Sequence, residues 1–508
     1  MKPSVELFKL IKSLTKSEKR FFKLSSSLQS GDKNYLKIFD FIESNDKYDE
    51  EELKLFFKDE TFIKHLPSEK NHLYKLILKS LRSFYAEQSI SSILKQEIKN
   101  VEILYNKALY KECNKFLLRA KEMAKENERF YYWYELIAWE KRLLEEAYES
   151  GDFQTDLDAL IAEEEMVIEK LRNLAEYQMI YSKINLVFRS NGFAKNDEER
   201  KVVNEIADYH LIKGKNTAIS SKAASMCYYI KGLCAAVNRD YEDSFTFFNR
   251  TREILDRNQK IKIDSAQRYV LTLSHLTRSY IENKEWTKAT GLIKELRDLE
   301  NEKGFNSTDI SLKIQTNALM LEFKMLHLHG EFAKSVALID QLDKLYEKFD
   351  DKINKEQIIL FNFNKAYAYF GVGQYKLALN YLNEILNDNE QNLRQDIYSY
   401  ARLFNLIIHF ELENYDFIEY LIKSTSRYLN KVDRTSEIEL ACIKKIRKMA
   451  KVNTWGEQLV YIEQLNEQVE ASLKVHNERV ILEYFDIESW VQSKINKISF
   501  AKVVQSKV

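Results

Sequence analysis

A pattern of aromatic and apolar residues recurs along most of this chain, and it limits the possible folds more than any other feature. In each copy an aromatic residue opens a stretch of helical period, a small or apolar residue follows three positions later, and apolar residues follow at seven and ten. The clearest copy contains Tyr375, Ala378, Leu382 and Ile385. The nine opening aromatic residues lie 40 to 48 positions apart and are Tyr110, Phe153, Phe193, Tyr241, Trp286, Phe332, Tyr375, Tyr415 and Trp455. A period of this length with two helical stretches per copy indicates stacked α-hairpins.

Glycine and proline are scarce, which argues against most other architectures. The 508 residues include only 11 glycines and 2 prolines. β-Sandwiches and loop-rich enzymes need many more of these turn-forming residues. Apolar residues make up 45% of the chain and charged residues 31%, a balance typical of amphipathic helices rather than of a disordered chain. The sequence therefore predicts an all-α fold.

The central copies resemble the tetratricopeptide-repeat (TPR) family. The residues that carry the resemblance precede the opening aromatic residues and are Tyr228, Gly232, Leu276, Tyr280, Ala366, Tyr369 and Gly373. The repeats differ from the family in two respects: their period averages about 43 residues instead of 34, and the proline usual near each repeat end is absent. The resemblance implies a right-handed superhelical solenoid of stacked antiparallel α-hairpins, with longer repeats than usual.

The two ends of the chain differ from the middle. Residues 1–95 do not follow the repeat and are predicted to form a small N-terminal helical domain or cap, in which Thr15 and Glu18 make a capping box. Residues 96–475 are predicted to form the TPR-like array of about nine units. Residues 476–508 are predicted to form a C-terminal capping helix and a basic tail.

Other features point away from catalysis and from membranes. Lysine plus arginine and aspartate plus glutamate both total 78, so there is no overall attraction to nucleic acid or lipid. The four cysteines form no CxxC pair, which favours a reducing compartment and a cytoplasmic location. No apolar run reaches the length of a membrane-spanning helix. No catalytic, metal-binding or phosphate-binding motif is present, so we expect a non-enzymatic protein without a cofactor or metal.

The first candidate site is a peptide-binding groove. In TPR arrays the first helix of each hairpin lines a concave surface, and positions eight and twelve residues before the opening aromatic often face it. In this chain the selected positions hold Tyr229, Arg278, Lys324, Phe363 and Tyr367. This mixture of aromatic and basic side chains would suit an extended peptide with acidic and apolar side chains. The alternative is that these residues only pack one hairpin against the next.

The second candidate is a pair of basic clusters. The first contains Lys16, Lys19, Arg20 and Lys23, interleaved with phenylalanines, and could contact nucleic acid. The second contains Lys444, Lys445, Arg447 and Lys448 and could meet an acidic protein, RNA or a lipid surface. The alternative for both clusters is a solvated helix face, with Phe21 and Phe22 in the core.

The sequence favours a protein–protein interaction scaffold that binds a protein or peptide in the groove of its array. The alternative is a regulator that contacts nucleic acid or a nucleoprotein complex through its N-terminal helices, with the array as a sensor or partner-binding module. An enzyme whose site lies outside known motifs is the third hypothesis. The identity of the partner and the oligomeric state are not encoded in any pattern that we recognise.

Overall fold

The computed structural model describes residues 5–27, 33–147, 156–191, 197–349, 352–388, 394–431, 436–475 and 478–508. Within these ranges the chain consists of helices and their connections, without a β-strand, which confirms the all-α prediction. The opening aromatic residues of two weaker copies of the repeat, Phe153 and Phe193, lie outside the described residues. None of the helices in the described ranges combines the length and the hydropathy that crossing a bilayer requires.

The chain divides into two compact units, Met1–Val167 and Ile168–Val508, and the division falls inside one long helix. The helices of the first unit are α1 Glu6–Ser13, α2 Lys16–Ser27, α3 Asn34–Ser44, α4 Glu50–Phe56, α5 Leu66–Phe84, α6 Ile90–Asn106, α7 Tyr110–Glu126, α8 Phe130–Ala147 and the start of α9 Leu157–Asn191. In α2 the predicted capping box is confirmed. The Thr15 backbone N–H donates to the Glu18 carboxylate at 2.6 Å, and the Glu18 N–H donates to the Thr15 hydroxyl at 3.3 Å.

The second unit begins within α9 and holds the clearest repeats. Its further helices are α10 Asp197–Ala207, α11 His210–Lys213, α12 Ser221–Val237, α13 Tyr241–Arg257, α14 Gln259–Asp264, α15 Ala266–Glu282, α16 Trp286–Asp298, α17 Thr308–Leu328, α18 Phe332–Ala337, α19 Ile339–Phe349, α20 Lys355–Gly371, α21 Tyr375–Leu386, α22 Gln395–Glu411, α23 Tyr415–Lys431, α24 Glu437–Met449, α25 Trp455–Ser472, α26 Ile487–Asn496 and α27 Phe500–Gln505. A 3₁₀ helix, Glu478–Glu483, precedes α26.

Consecutive helices of the second unit pack as hairpins. The pairs are α12 with α13, α15 with α16, α17 with α18, α20 with α21, α22 with α23, and α24 with α25. The first helices also pack on one another along the array, α15 on α17, α17 on α20, α20 on α22 and α22 on α24. Repeated helix pairs of this kind are compatible with a helical repeat protein. The TPR assignment and the handedness of the array stay predictions.

The repeat pattern has a local structural cause. Each described opening aromatic is the first residue of a helix: Tyr110, Tyr241, Trp286, Phe332, Tyr375, Tyr415 and Trp455. The residue three positions later is buried in all seven of these copies, namely Cys113, Ser244, Ala289, Ser335, Ala378, Ile418 and Gln458. A small or slender side chain at this point lets the second helix of the hairpin approach the first.

The turn before each second helix repeats one backbone conformation. The residue two positions before the opening aromatic has a positive φ of 57° to 77° at Ala108, Arg239, Lys284, Gly330, Gly373 and Glu413. The next backbone N–H then donates to a carbonyl five residues back, as Gln374 does to Tyr369 at 2.9 Å. This is the Schellman arrangement that ends many helices. Glycine is the usual residue at its left-handed position, yet it occupies only two of these six turns.

Replacing one of the other four turn residues by glycine is expected to stabilise the chain. Glu413 is exposed and has a φ of 58°. A side chain in the left-handed region costs about 1 kcal/mol, and part of this gain is offset because glycine has more freedom in the unfolded chain. We expect Glu413→Gly to raise the unfolding free energy by about 0.5 kcal/mol, measured by urea denaturation. Glu413→Ala is the matched control, because it removes the same carboxylate and keeps the Cβ. Equal stability of the two variants would contradict the argument.

Candidate functional site

The residues after 477 fold back onto the hairpins. We call residues 478–508 the C-terminal segment; they comprise the 3₁₀ helix Glu478–Glu483, α26 and α27. We call the surface formed by Arg278, Lys324, Phe363, Tyr367 and Phe404 the groove; these residues lie on α15, α17, α20 and α22, the first helices of four successive hairpins. The C-terminal segment lies on this surface and is buried with it in one apolar core.

One carboxylate of the C-terminal segment, that of Glu483, accepts hydrogen bonds from side chains of three hairpins. Glu483 accepts hydrogen bonds from Arg278 Nη2 at 2.9 Å and Lys324 Nζ at 2.8 Å on one oxygen, and from the Tyr241 hydroxyl at 2.8 Å on the other. Its side chain is only 7% exposed. Burial by itself raises the pKa of a carboxyl, but Lys324, Arg278 and the hydrogen bonds outweigh it and hold the pKa of Glu483 well below its usual range. Glu483 is therefore ionised and tightly held at neutral pH.

The next two residues fill aromatic sites. The Tyr484 ring stacks on Tyr400, with centroids 4.1 Å apart, and its hydroxyl donates to the fully buried carboxylate of Asp396. Arg394 holds that carboxylate in turn, through Nε at 2.9 Å and Nη2 at 2.6 Å. The Tyr484 ring thus packs on another aromatic ring, and its hydroxyl has an ionised acceptor.

Phe485 sits deeper, among three rings of the hairpins. Its centroid lies 4.9 Å from that of Phe404, 5.4 Å from Phe370 and 5.6 Å from Tyr367. The backbone N–H of Asp486 then donates to the Tyr367 hydroxyl oxygen at 3.3 Å. Residues 483–486, with the sequence Glu-Tyr-Phe-Asp, therefore match the groove in both charge and shape.

The two helices of the C-terminal segment add contacts on either side. The Trp490 indole N–H donates to Glu411 at 2.7 Å. In α27, Gln505 donates to the Gly330 carbonyl at 3.0 Å. A Cβ on Gly330 would lie 2.8 Å from the Ala501 carbonyl oxygen, so this turn needs glycine for the close approach of α27. The segment is fixed to α22 and to the turn after α17 as well as to the groove.

Four of the five predicted groove residues contact the C-terminal segment. Arg278 and Lys324 bind Glu483, Tyr367 packs on Phe485, and Phe363 meets Tyr484 edge to face at 6.2 Å. The fifth, Tyr229, is buried instead among Tyr181, Phe248 and His275, where it packs helices together. Whether the groove binds another molecule stays a prediction.

The C-terminal segment was expected to be a capping helix with a basic tail. Its helix α26 packs against α25 of the final hairpin, and Glu478 accepts from the backbone N–H groups of Glu437 and Ile438 at the start of α24. The segment also contacts earlier hairpins, since Trp490 bonds to Glu411 and Gln505 bonds to Gly330. Two of its lysines are paired, Lys494 with Glu411 and Lys507 with Glu488 at 2.7 Å, whereas Lys497 and Lys502 are exposed. Residues 476 and 477 of the predicted domain lie outside the described residues.

In the N-terminal basic cluster, acidic side chains accompany half of the cations. Lys23 lies 2.8 Å from Asp40 and 2.7 Å from Glu43, and Lys19 lies 3.4 Å from Glu43. Lys16 and Arg20 are exposed. Phe22 is buried against Phe39, and Phe21 packs edge to face on Phe84. Phe22 is thus part of the core of the first unit, and Phe21 is half-buried against Phe84.

The second basic cluster is divided among different partners. Lys445 is buried and donates to the Gln464 side chain at 2.7 Å. Arg447 pairs with Glu419, and Lys448 lies 5.4 Å from the centre of the Tyr461 ring. Lys444 is exposed. Lys444, Arg447 and Lys448 therefore share one exposed face of α24, and Lys445 lies apart from it.

Buried thiols offer no activated nucleophile. All four cysteines are free and buried, and burial raises the pKa of the Cys234 thiol to about 12. Among the residues that the structure describes, no group of histidine, cysteine, aspartate and glutamate side chains is arranged to hold a metal ion.

A half-buried histidine on α15 makes stability depend on pH. His275 stacks on Phe248 with centroids 4.3 Å apart, and burial, together with the charge of Arg278, lowers the pKa of His275 to about 3. The unfolded chain takes up a proton below about pH 6.5, whereas the folded chain does not. The stability due to neutral His275 is therefore complete above pH 6.5 and is lost as the pH falls, by about 1.4 kcal/mol per pH unit.

His275→Phe keeps a stacked ring and removes the titration. We expect its unfolding free energy to fall between pH 7 and pH 5 by about 2 kcal/mol less than that of the wild type. Urea denaturation at half-unit pH steps measures this difference. Above pH 7 the two curves should run parallel, which is the internal control. Parallel curves down to pH 5 would show that His275 is accessible to protons in the folded chain.

Comparison with known protein families finds no family model that matches this chain, and comparison with curated proteins finds no match either.

Proposed function

We propose that this chain is a non-enzymatic scaffold that binds another protein through the groove of its α-hairpins. The observation that carries the proposal is that the groove already holds a polypeptide, the chain's own residues 483–486, by a combination of ionic and aromatic contacts. The same contacts are those by which proteins recognise peptides. Buried free thiols fit a reducing compartment such as the cytoplasm.

The groove has the chemical character of a recognition surface. Arginine and aromatic side chains dominate the binding energy of protein interfaces, mainly where they are shielded from water. Arg278, Lys324 and Tyr241 come from three successive hairpins and converge on one carboxylate. Beside them Tyr367 and Phe404 form an aromatic floor. A ligand that binds there contacts several repeats at once, and a rigid array fixes their spacing.

The test is to compare proteins that co-purify with tagged variants after nuclease treatment. The groove variant is Arg278→Ala with Lys324→Ala. The control is Arg447→Ala, which also removes a charge from an ion pair but lies away from the groove. We expect a defined set of proteins to be retained by the control and lost from the groove variant. If no retained protein depends on Arg278 and Lys324, the groove is not a partner site.

The nucleic-acid alternative is tested in the same experiment. Reversal of Lys16, Lys19, Arg20 and Lys23 to glutamate removes the N-terminal cluster. A nucleoprotein set that is lost on this reversal or on nuclease treatment would favour a regulator that binds nucleic acid. The ion pairs of Lys19 and Lys23 and the burial of Phe22 give that reading less support than the groove has.

A further inference from the structure

We propose that the partner presents a segment with the chemistry of residues 483–486, an acidic residue followed by two aromatic residues, and that the C-terminal segment competes with it for the groove. This inference rests on the proposed function, because it names the partner chemistry and the regulation of the same site. The chain's own segment would then be both the model of the ligand and its competitor.

The acidic position selects for a carboxylate. Arg278 and Lys324 donate to one oxygen of Glu483 and Tyr241 donates to the other, so both oxygens are engaged. Arg239 Nη2 lies 3.9 Å away and adds positive charge. Glu282 also pairs with Lys324, so a neutral side chain at position 483 would leave Arg278 and Lys324 facing one carboxylate instead of two, which is unfavourable in a largely buried site. The groove therefore discriminates against a segment that lacks the acid.

The aromatic positions add a second selection. The first position, occupied by Tyr484, accepts a ring that stacks on Tyr400. The Asp396 carboxylate accepts a hydrogen bond there, so a ring with a hydroxyl group is favoured. The second is lined by Tyr367, Phe370 and Phe404 and has only apolar neighbours for a phenyl ring. Together these sites favour the order acid, tyrosine, phenylalanine over the same residues in another order.

Competition follows from the covalent connection. The C-terminal segment belongs to the same chain as the groove, so its effective concentration there is on the order of millimolar. A free partner segment of equal intrinsic affinity must exceed that concentration, or the internal contacts must be weakened, before it binds. The groove is therefore closed at rest and opens to partners that bind more tightly or engage further surface.

The decisive experiment weakens the contacts of the C-terminal segment with the groove and adds the same segment as a separate peptide. The protein is the full chain, and the probe is a synthetic peptide of residues 478–508 that carries a fluorescein, followed by anisotropy. We expect Glu483→Gln in the protein to tighten binding of the wild-type peptide at least tenfold over the unaltered protein. Glu488→Gln is the matched control, because Glu488 is an acid of the same segment whose ion pair is with Lys507 of that segment. It should not change the affinity.

Variants of the peptide test the partner chemistry. Against the Glu483→Gln protein, a peptide with Glu483→Gln should bind at least tenfold more weakly than the wild-type peptide, and a peptide with Glu488→Gln should bind equally well. Circular dichroism verifies that each protein is folded. If Glu483→Gln does not fold, Tyr484→Phe serves instead, because it removes only the hydroxyl bond to Asp396. A folded variant that does not bind the wild-type peptide, or peptides that bind equally with and without the acid, would overturn the proposal.

Two further outcomes separate this inference from the proposed function. If cellular proteins depend on Arg278 and Lys324 but the peptide does not displace them, the scaffold function stands and the competition is wrong. If the peptide exchanges but no cellular protein depends on the groove, the proposed function fails and the inference fails with it. Exchange of the segment between two copies of the chain would appear as a dimer in size-exclusion chromatography and would also overturn the proposal, in favour of self-association.

Discussion

Truncation after residue 477 is expected to unfold the hairpins of the second unit rather than simply to uncover the groove. Tyr484, Phe485, Trp490 and Phe500 of the removed segment are all buried. Burial of each large aromatic side chain contributes roughly 2 to 3 kcal/mol, and their loss would also expose the rings on which they pack. A total of this size, about 8 to 12 kcal/mol, is comparable with the 5 to 15 kcal/mol that stabilises a typical domain. We expect the truncated chain to lose its cooperative thermal transition for this unit, followed by near-ultraviolet circular dichroism.

The control for truncation is addition of the missing residues. A synthetic peptide of residues 478–508, mixed with the truncated chain during refolding, should restore the transition. Limited proteolysis should find new cleavage sites between 308 and 431 without the peptide and protection with it. If the truncated chain unfolded at the same midpoint temperature as the full chain, the segment would not be needed for the stability of the array.

Gly371→Ala is expected to have the second large effect. Gly371 is the final residue of α20, and a Cβ built there would fall within the ring of Phe332 on α18. Phe332 is buried against His327 and Phe500, so the ring has no free space in which to move. We expect a loss of about 3 kcal/mol, at the upper end of the range for overpacking.

A glycine two residues away supplies the matched control. Gly373 has a φ of 77°, but a Cβ built on it meets nothing within 4 Å. Gly373→Ala therefore introduces only the left-handed strain of about 1 kcal/mol. Urea denaturation of both variants measures the difference. If the two substitutions cost the same, the packing of α18 against α20 is looser than the structure indicates.

The local part of the fold was predictable from the sequence because its causes are local. An aromatic residue begins each second helix, and a small residue three positions later allows close packing; both are visible in the spacing of, for example, Tyr375 and Ala378. The left-handed turns were not visible. Glycine marks only Gly330 and Gly373, while residues as different as Arg239 and Glu413 adopt the same conformation.

The placement of the C-terminal segment was not predictable from spacing. Glu483 bonds to residues 159, 205 and 242 positions earlier, and helical periodicity carries no information over such separations. A chemical signal was nevertheless present. The predicted groove was basic and aromatic and was assigned an acidic, apolar peptide, and residues 483–486 have that composition.

Counting charges along the sequence did not predict which cations of the basic clusters are paired with acidic side chains. Lys19 and Lys23 raise the local net charge of the N-terminal residues, but Asp40 and Glu43 of α3 lie against them in the folded unit. Likewise Phe22 alternates with lysines in the sequence and yet is buried. Only the tertiary arrangement reveals which cations face solvent.

The position of the C-terminal segment sets a constraint on biosynthesis. The ribosome makes the hairpins before it makes residues 478–508, and at about 5 to 20 residues per second this stretch takes a few seconds more to synthesise. During that interval the aromatic floor of the groove has emerged without the rings that cover it. The nascent chain therefore passes through a stage in which chaperones can bind the floor, and translation that stops before residue 483 yields a product that cells can recognise as incomplete.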